Sequence, residues 1–250
     1  MSFLPHSKLA RFLAFLLLML GASTAGAIEP DEIVAKADAV RVPKGSYEFE
    51  AAIVNYEGET KQSESGYKVY VRDLEHSLVE FRSPAAEKGK SLLMIQEDLW
   101  IYLPRVKKPV RIPLQQRLAG NVSNGDMARA NFSNDYSATL AGEEKIGDRE
   151  VYVLDLVAKS PSKTYNKIKY KVAKSDFHPV TAEYYTVSGA SLKTCTFEDF
   201  RQEAGALRPV RLVFQDSLNP RKKSILTFSG MVTKQLDLSM FTKDYMKTLE

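Results

Sequence analysis

Few side chains in this 250-residue chain have the type and spacing that a chemical reaction needs. The two histidines beyond the N-terminal leader, His76 and His178, lie on separate segments, and Cys195 is the only cysteine. Transition-metal sites draw on ligands at short spacings such as Cys-x-x-Cys or His-x-x-x-His, and neither pattern occurs. There is no Gly-x-Ser-x-Gly elbow for a hydrolytic serine and no glycine-rich loop for a phosphate. The carboxylate pairs Glu143-Glu144 and Glu198-Asp199 stand in turn-like or strand-edge contexts, where solvated surface charge is the expectation. Neighbours on a strand also project to opposite faces, so Glu198 and Asp199 cannot act on one substrate. The chain is therefore expected to be no enzyme and to hold no metal or cofactor.

What the sequence has in surplus is apolar surface, and its chemistry is solvation. Aromatic and aliphatic residues recur on single faces of many alternating segments: Tyr47, Phe49, Val69, Val71, Phe81, Leu93, Ile95, Trp100, Tyr102, Leu154, Ile168, Tyr170, Phe197, Phe214 and Phe228, with Tyr184, Leu212 and Leu226 of the same kind. Any one of them could simply fill a core. Together they are expected to line a cavity, because a curled sheet of many strands encloses more room than its own side chains fill. The stretch Asp98 to Pro113 is the sharpest case, read as two short strands joined by a basic, proline-bounded turn. Trp100 and Tyr102 share one face; Leu99, Ile101 and Leu103 share the other. Trp100 and Tyr102 are expected to line the cavity, with Arg105, Lys107 and Lys108 as a basic rim.

The elements that must position these residues follow from periodicity. Alternation marks strands at Tyr47 to Ile53, Ser65 to Leu74, Leu78 to Arg82, Leu92 to Gln96 and Leu99 to Leu103, an antiparallel meander. Further strands are expected at Ala138 to Leu140, Glu150 to Ala158 and Asn166 to Val172. Two hairpins follow, Val180 to Thr186 with Leu192 to Phe200, and Pro209 to Asp216 with Lys223 to Ser229. Glu29 to Asp38, with Pro and acidic residues in its first turn, reads as a short amphipathic helix that must lie against the sheet to be stable. The crossing from Leu114 to Tyr136 carries helix-compatible pieces at Leu114 to Leu118 and Met127 to Ala130, and is expected to cover an opening. A last short helix is expected near Phe241 to Met246. The sum is a mainly β, half-open antiparallel barrel of about eleven strands closed by short helices.

The address is written at the start. His6, Lys8 and Arg11 precede the apolar run Phe12 to Leu20, and Ala25-Gly26-Ala27 offers the small residues a signal peptidase accepts. Residues 1–27 are expected to be a cleaved secretory leader and residues 28–250 a single domain. No cysteine lies near the cleavage site, so no lipid anchor is expected there. Loss of Lys8 and Arg11 with the leader lowers the formal net charge from +4 to +2, which gives no warrant for nucleic-acid binding. A single thiol in an exported chain forms no internal disulfide, and Cys195 is expected to be a buried small hydrophobe.

Several segments, in order, carry a resemblance: Trp100 to Pro104 with Val106-Lys-Lys108 and Arg111-Ile-Pro113, Gln116-Arg117-Leu118-x-Gly120, Gly142-Glu143 leading to Tyr152-Val153-Leu154, Pro179-Val-x-Ala-Glu183-Tyr-Tyr185, Lys193-Thr194 leading to Phe197, and Phe241-Thr-x-x-Tyr245. They resemble the outer-membrane lipoprotein-sorting proteins of the LolA-like superfamily across most of the chain. That resemblance implies a half-open barrel, LolA/LolB-like, that shields the acyl chains of a lipid or lipoprotein in the periplasm. It also implies a monomer that touches membranes transiently and is a companion of inner-membrane lipid exporters of the RND type. The alternative function within the same fold is an envelope sensor or adaptor that binds a protein rather than ferrying cargo.

Overall fold

The computed structural model describes residues 28–128 and 131–249. The leader expected at 1–27 lies outside the described residues. The helix α1 (Pro30–Arg41) opens the described chain. Pro30 stands at its first turn, where no backbone donor is lost, with Asp31 and Glu32 beside it and Arg41 in its last turn, the polarity its dipole favours. Ile33, Val34, Ala37 and Asp38 are its buried side.

The strands β1 (Tyr47–Glu57), β2 (Thr60–Val71), β3 (His76–Ser83), β4 (Ser91–Ile95), β5 (Asp98–Tyr102) and β6 (Val110–Ile112) form one antiparallel meander. After the crossing come β9 (Tyr136–Ile146), β10 (Arg149–Ala158), β11 (Lys167–Ala173), β12 (Pro179–Tyr185), β13 (Ser191–Glu203), β14 (Ala206–Asp216) and β15 (Lys222–Thr233). All thirteen join one antiparallel sheet, ordered β6-β5-β4-β3-β2-β1-β15-β14-β13-β12-β11-β10-β9. Pairing of β1 with β15 welds the two meanders together, Ala51 standing opposite Phe228. The sheet ends at β6 and β9 and does not close. Register shifts at Glu48/Glu50, Asn55/Tyr56, Val153/Leu154 and Lys171/Val172 bend it, because a bulge raises local twist and curls the strand.

The half-open barrel is thus as expected, with more strands than about eleven. The difference lies partly in the crossing. Leu114 to Leu118 forms no helix; instead β7 (Arg117–Ala119) and β8 (Val122–Ser123) make a small hairpin, followed by α2 (Asn124–Ala128). Five residues after Pro113 are too few to nucleate an isolated helix. Gly120 turns the hairpin with φ +54°, and any Cβ there would collide with Asn55 and Ser224. That close approach docks the hairpin on the sheet, where the Asn121 backbone N–H donates to Ser224 Oγ at 2.8 Å.

The curled sheet has two buried faces. Its concave face holds the main core, with α1 and α2 against it. Part of its convex face, over β3, β4 and β5, is covered by the chain's last residues, which carry α3 (Lys243–Met246). Leu236, Phe241 and Met246 pack there on Leu78, Leu93 and Tyr102.

Candidate functional site: an apolar cavity beneath helix α1

The concave face is not filled. Beneath the C-terminal half of α1 lies a cavity of about 410 Å³, within the usual range for small-molecule sites. Its walls are Tyr47, Phe49, Val71, Phe197, Leu212 and Phe228 from the sheet, Ala35 and Ala39 from α1, and Val42 just past the helix end. Met94, Met127 and Met231, three of the chain's seven methionines, add to the lining, and Asp38, Arg41, Lys44, Arg72, Asp73 and Asp126 give it a charged edge. Their unbranched thioethers adapt to ligands of varied shape. Phe49 and Phe228 meet edge to face, with ring centroids 5.3 Å apart.

The expected lining residues divide into three groups. Tyr47, Phe49, Val71, Phe197 and Phe228 border the cavity. Val69, Phe81, Leu154, Ile168, Tyr170 and Phe214 share the concave core without bordering it, and Tyr170 is fully buried against Phe132. Leu93, Ile95, Trp100 and Tyr102 lie on the opposite, convex face, and their expected place in the cavity is corrected. Lys243 Nζ stands 3.1 Å from the centre of the Trp100 ring, a cation over an aromatic face contributed by the terminal segment. The concave residues of these two strands are Leu92, Met94 and Leu99 instead. Alternation could separate the two sets but not orient them, since β4 and β5 are apolar on both sides. Tyr184 borders the narrow gap beyond the cavity, and Leu226 is core.

Sequence reasoning missed the polar groups that hold the cover. Asp38, on the buried side of α1, accepts hydrogen bonds from the backbone N–H groups of Phe132 at 2.8 Å and Ser133 at 2.7 Å. It also pairs with Arg41 at 3.1 Å, both side chains almost fully buried. Burial pushes the Asp38 carboxyl upward, and Arg41 and these two N–H groups oppose that shift. The Arg41 guanidinium lies over the Phe132 ring at 4.2 Å. At its two ends α1 is tied as well: Asp31 accepts from the Ala138 N–H at 2.8 Å, and Arg208 donates to the carbonyls of Ala39 and Val40 at 2.9 and 3.0 Å. An Asp at position 38 on an apolar stripe was the signal available, since a buried carboxylate needs a partner.

A second polar knot fixes α2. Asp126 accepts from the Lys193 ammonium at 2.6 Å, the Tyr165 hydroxyl at 2.8 Å and the Ser123 N–H at 2.7 Å. Lys193 is buried, and it also reaches the Asn121 carbonyl at 2.5 Å. Cys195 is fully buried, the small buried hydrophobe expected, and burial pushes its thiol upward. Among the described residues no group of three or more His, Cys, Asp and Glu side chains could hold a metal ion, and no helix is long and apolar enough to cross a membrane.

A curled sheet with an apolar hollow and a helix bolted over it defines a class, and the comparisons agree. A LolA superfamily protein of known structure from Nitrosomonas europaea is 40% identical, covering 88% of this chain and 100% of its own, with a TM-score of 0.84. This chain belongs to the LolA superfamily. A family model described only as an uncharacterized protein matches residues 73–248. Two more distant structures share the fold: a putative outer membrane lipoprotein-sorting protein domain from Vibrio parahaemolyticus (21% identity, TM-score 0.74, 87% of this chain and 98% of that one) and a DUF1329 family protein from Desulfovibrio piger (20%, 0.74, 86% and 97%). No curated protein matches this chain.

Proposed function

We propose that this protein is a periplasmic carrier that shields the acyl part of a lipid or lipoprotein while it crosses between the inner and outer membranes. The observation that carries this reading is the apolar cavity beneath α1. About ten methylenes moved from water into such a space gain roughly 8 kcal/mol before the costs of association are met. The gain is non-directional, so selectivity for one chain over another is weak. Membership of the LolA superfamily supports the same reading, as does the shared fold of a putative outer membrane lipoprotein-sorting protein domain from Vibrio parahaemolyticus. Export by a leader at 1–27, monomeric transport, transient contact with both membranes and an RND-type exporter as donor belong to the same proposal.

Entry and exit require the cover to move, and Asp38 is its catch. An acceptor that binds the lipid better, or a membrane that loosens the 131–133 segment, shifts the equilibrium toward release. Native mass spectrometry of the protein purified from the periplasm tests the reading. A population heavier by the mass of one lipid, removed by organic extraction, is the expected result. Protein that is uniformly empty, and that also fails to take up a fluorescent fatty acid, would sink it.

A further inference from the structure

The concave face has a second hollow, of about 600 Å³, and its chemistry differs from the first. It lies between the β7–β8 hairpin, the loop joining β10 to β11 and the turn joining β12 to β13. Four cations border it, Arg117, Lys159, Lys163 and Lys193, against the single carboxylate of Asp216. Each charge can be accounted for. Asp216 is spent on its own turn, accepting from the N–H groups of Leu218 and Asn219 at 2.9 Å each. Lys193 is matched by Asp126, and Lys163 by Glu97 and Asp135. Arg117 and Lys159 remain. Among the described residues neither has a carboxylate partner in the ion pairs found, and Lys159 Nζ reaches only the Ser133 carbonyl at 3.0 Å. Both are exposed at the wall of the hollow. A concave, hydroxyl- and amide-rich space with two uncompensated cations is built for a singly or doubly charged anion.

The two hollows are separated by little. A gap of about 20 Å³ between them is bordered by Arg41, Asp126, Phe132, Tyr165, Tyr184 and Phe214. Asp126 also borders the apolar cavity, and Tyr165 the basic one, so the knot around α2 is the partition. Gly125 of α2 is pressed so closely on Thr164 that no Cβ would fit. A lateral shift of this five-residue helix would join an apolar compartment to an anion-binding one.

We infer that the 600 Å³ hollow is a phosphate-binding chamber that receives the anionic headgroup of an amphiphile whose chain occupies the cavity beneath α1. Arg117 and Lys159 are the residues that recognise the charge. The inference rests on the carrier reading for the chain, but not for the chamber, since free phosphate presents the same chemistry.

The test titrates the intact mature protein with three probes: a lysophosphatidic acid, the monoacylglycerol of the same chain, and inorganic phosphate. Each is repeated with the double variant Arg117→Gln/Lys159→Gln, which alters exposed side chains outside α1 and α2 and keeps an amide donor at position 159 for the Ser133 carbonyl. The lysophosphatidic acid is expected to bind about 30-fold or more tighter than the monoacylglycerol, as two charge-assisted hydrogen bonds provide. In the double variant that preference should fall below about 3-fold, with monoacylglycerol binding unchanged. If inorganic phosphate alone binds, in a manner the double variant abolishes, the chamber stands with free phosphate as its source. Binding of both phosphate probes that is indifferent to the double variant, or no phosphate binding at all, overturns the inference. If neither amphiphile binds, the carrier reading fails, and the inorganic phosphate titration still decides the chamber.

Discussion

Phe228→Glu is expected to weaken binding of a fluorescent fatty acid by about 100-fold or more, while Trp100→Glu leaves it within about 3-fold. Phe228 is half-buried, borders the cavity and packs edge to face on Phe49. A carboxylate there must either keep water in the hollow or lie unsolvated against hydrocarbon, and both outcomes remove the gain from burying methylenes. Because the side chain already faces open space, the fold should survive. Trp100 lies on the other side of the sheet, beneath the terminal segment and under the Lys243 ammonium. Its loss should instead lower stability by about 3 kcal/mol, the range for truncating a large packed aromatic. Parallel fatty-acid titrations and urea unfolding separate the two effects. Loss of binding in Trp100→Glu with Phe228→Glu unaffected would place the site on the wrong face.

Asp38→Ala is expected to cost about 3–5 kcal/mol of stability, because it strands the buried Arg41 and leaves two backbone N–H groups without their acceptor. Hydrogen exchange at Phe132 and Ser133 should quicken in the same variant, since α1 no longer holds the 131–133 segment. Asp38→Asn keeps the shape and one acceptor but not the charge, so its cost should fall between the variant and the parent. Urea unfolding with amide exchange reads both effects. An Asp38→Ala protein as stable as the parent, with unchanged exchange at 132 and 133, would show that the carboxylate is no catch.

The strands were legible in the sequence because alternation has one meaning in a half-buried sheet. Ile168, Tyr170 and Val172 turn inward while Lys167, Lys169 and Lys171 stay partly exposed, as their spacing requires. The helix at Pro30–Arg41 was legible from Pro30, Asp31 and Glu32. The face assignment of β4 and β5 was not. Period 2 tells which residues travel together, and where both faces are apolar only the tertiary structure says which one meets the hollow. Here a terminal segment, distant in sequence, supplies a second apolar layer and takes the aromatic set. The catch at Asp38 depends on backbone donors more than ninety positions away, which no local pattern encodes. The same holds for the Asp126 knot, whose partners Tyr165 and Lys193 come from separate strands and loops.

The central claim is that acyl chain occupies the hollow beneath α1. Photolabelling with a fatty acid carrying a diazirine at its chain end, followed by peptide mapping, tests it most directly. The account predicts labels on cavity residues such as Met94, Leu212, Phe228 and Met231, competed by unlabelled lipid. Labels confined to Leu93, Trp100, Tyr102 and the terminal segment would contradict it.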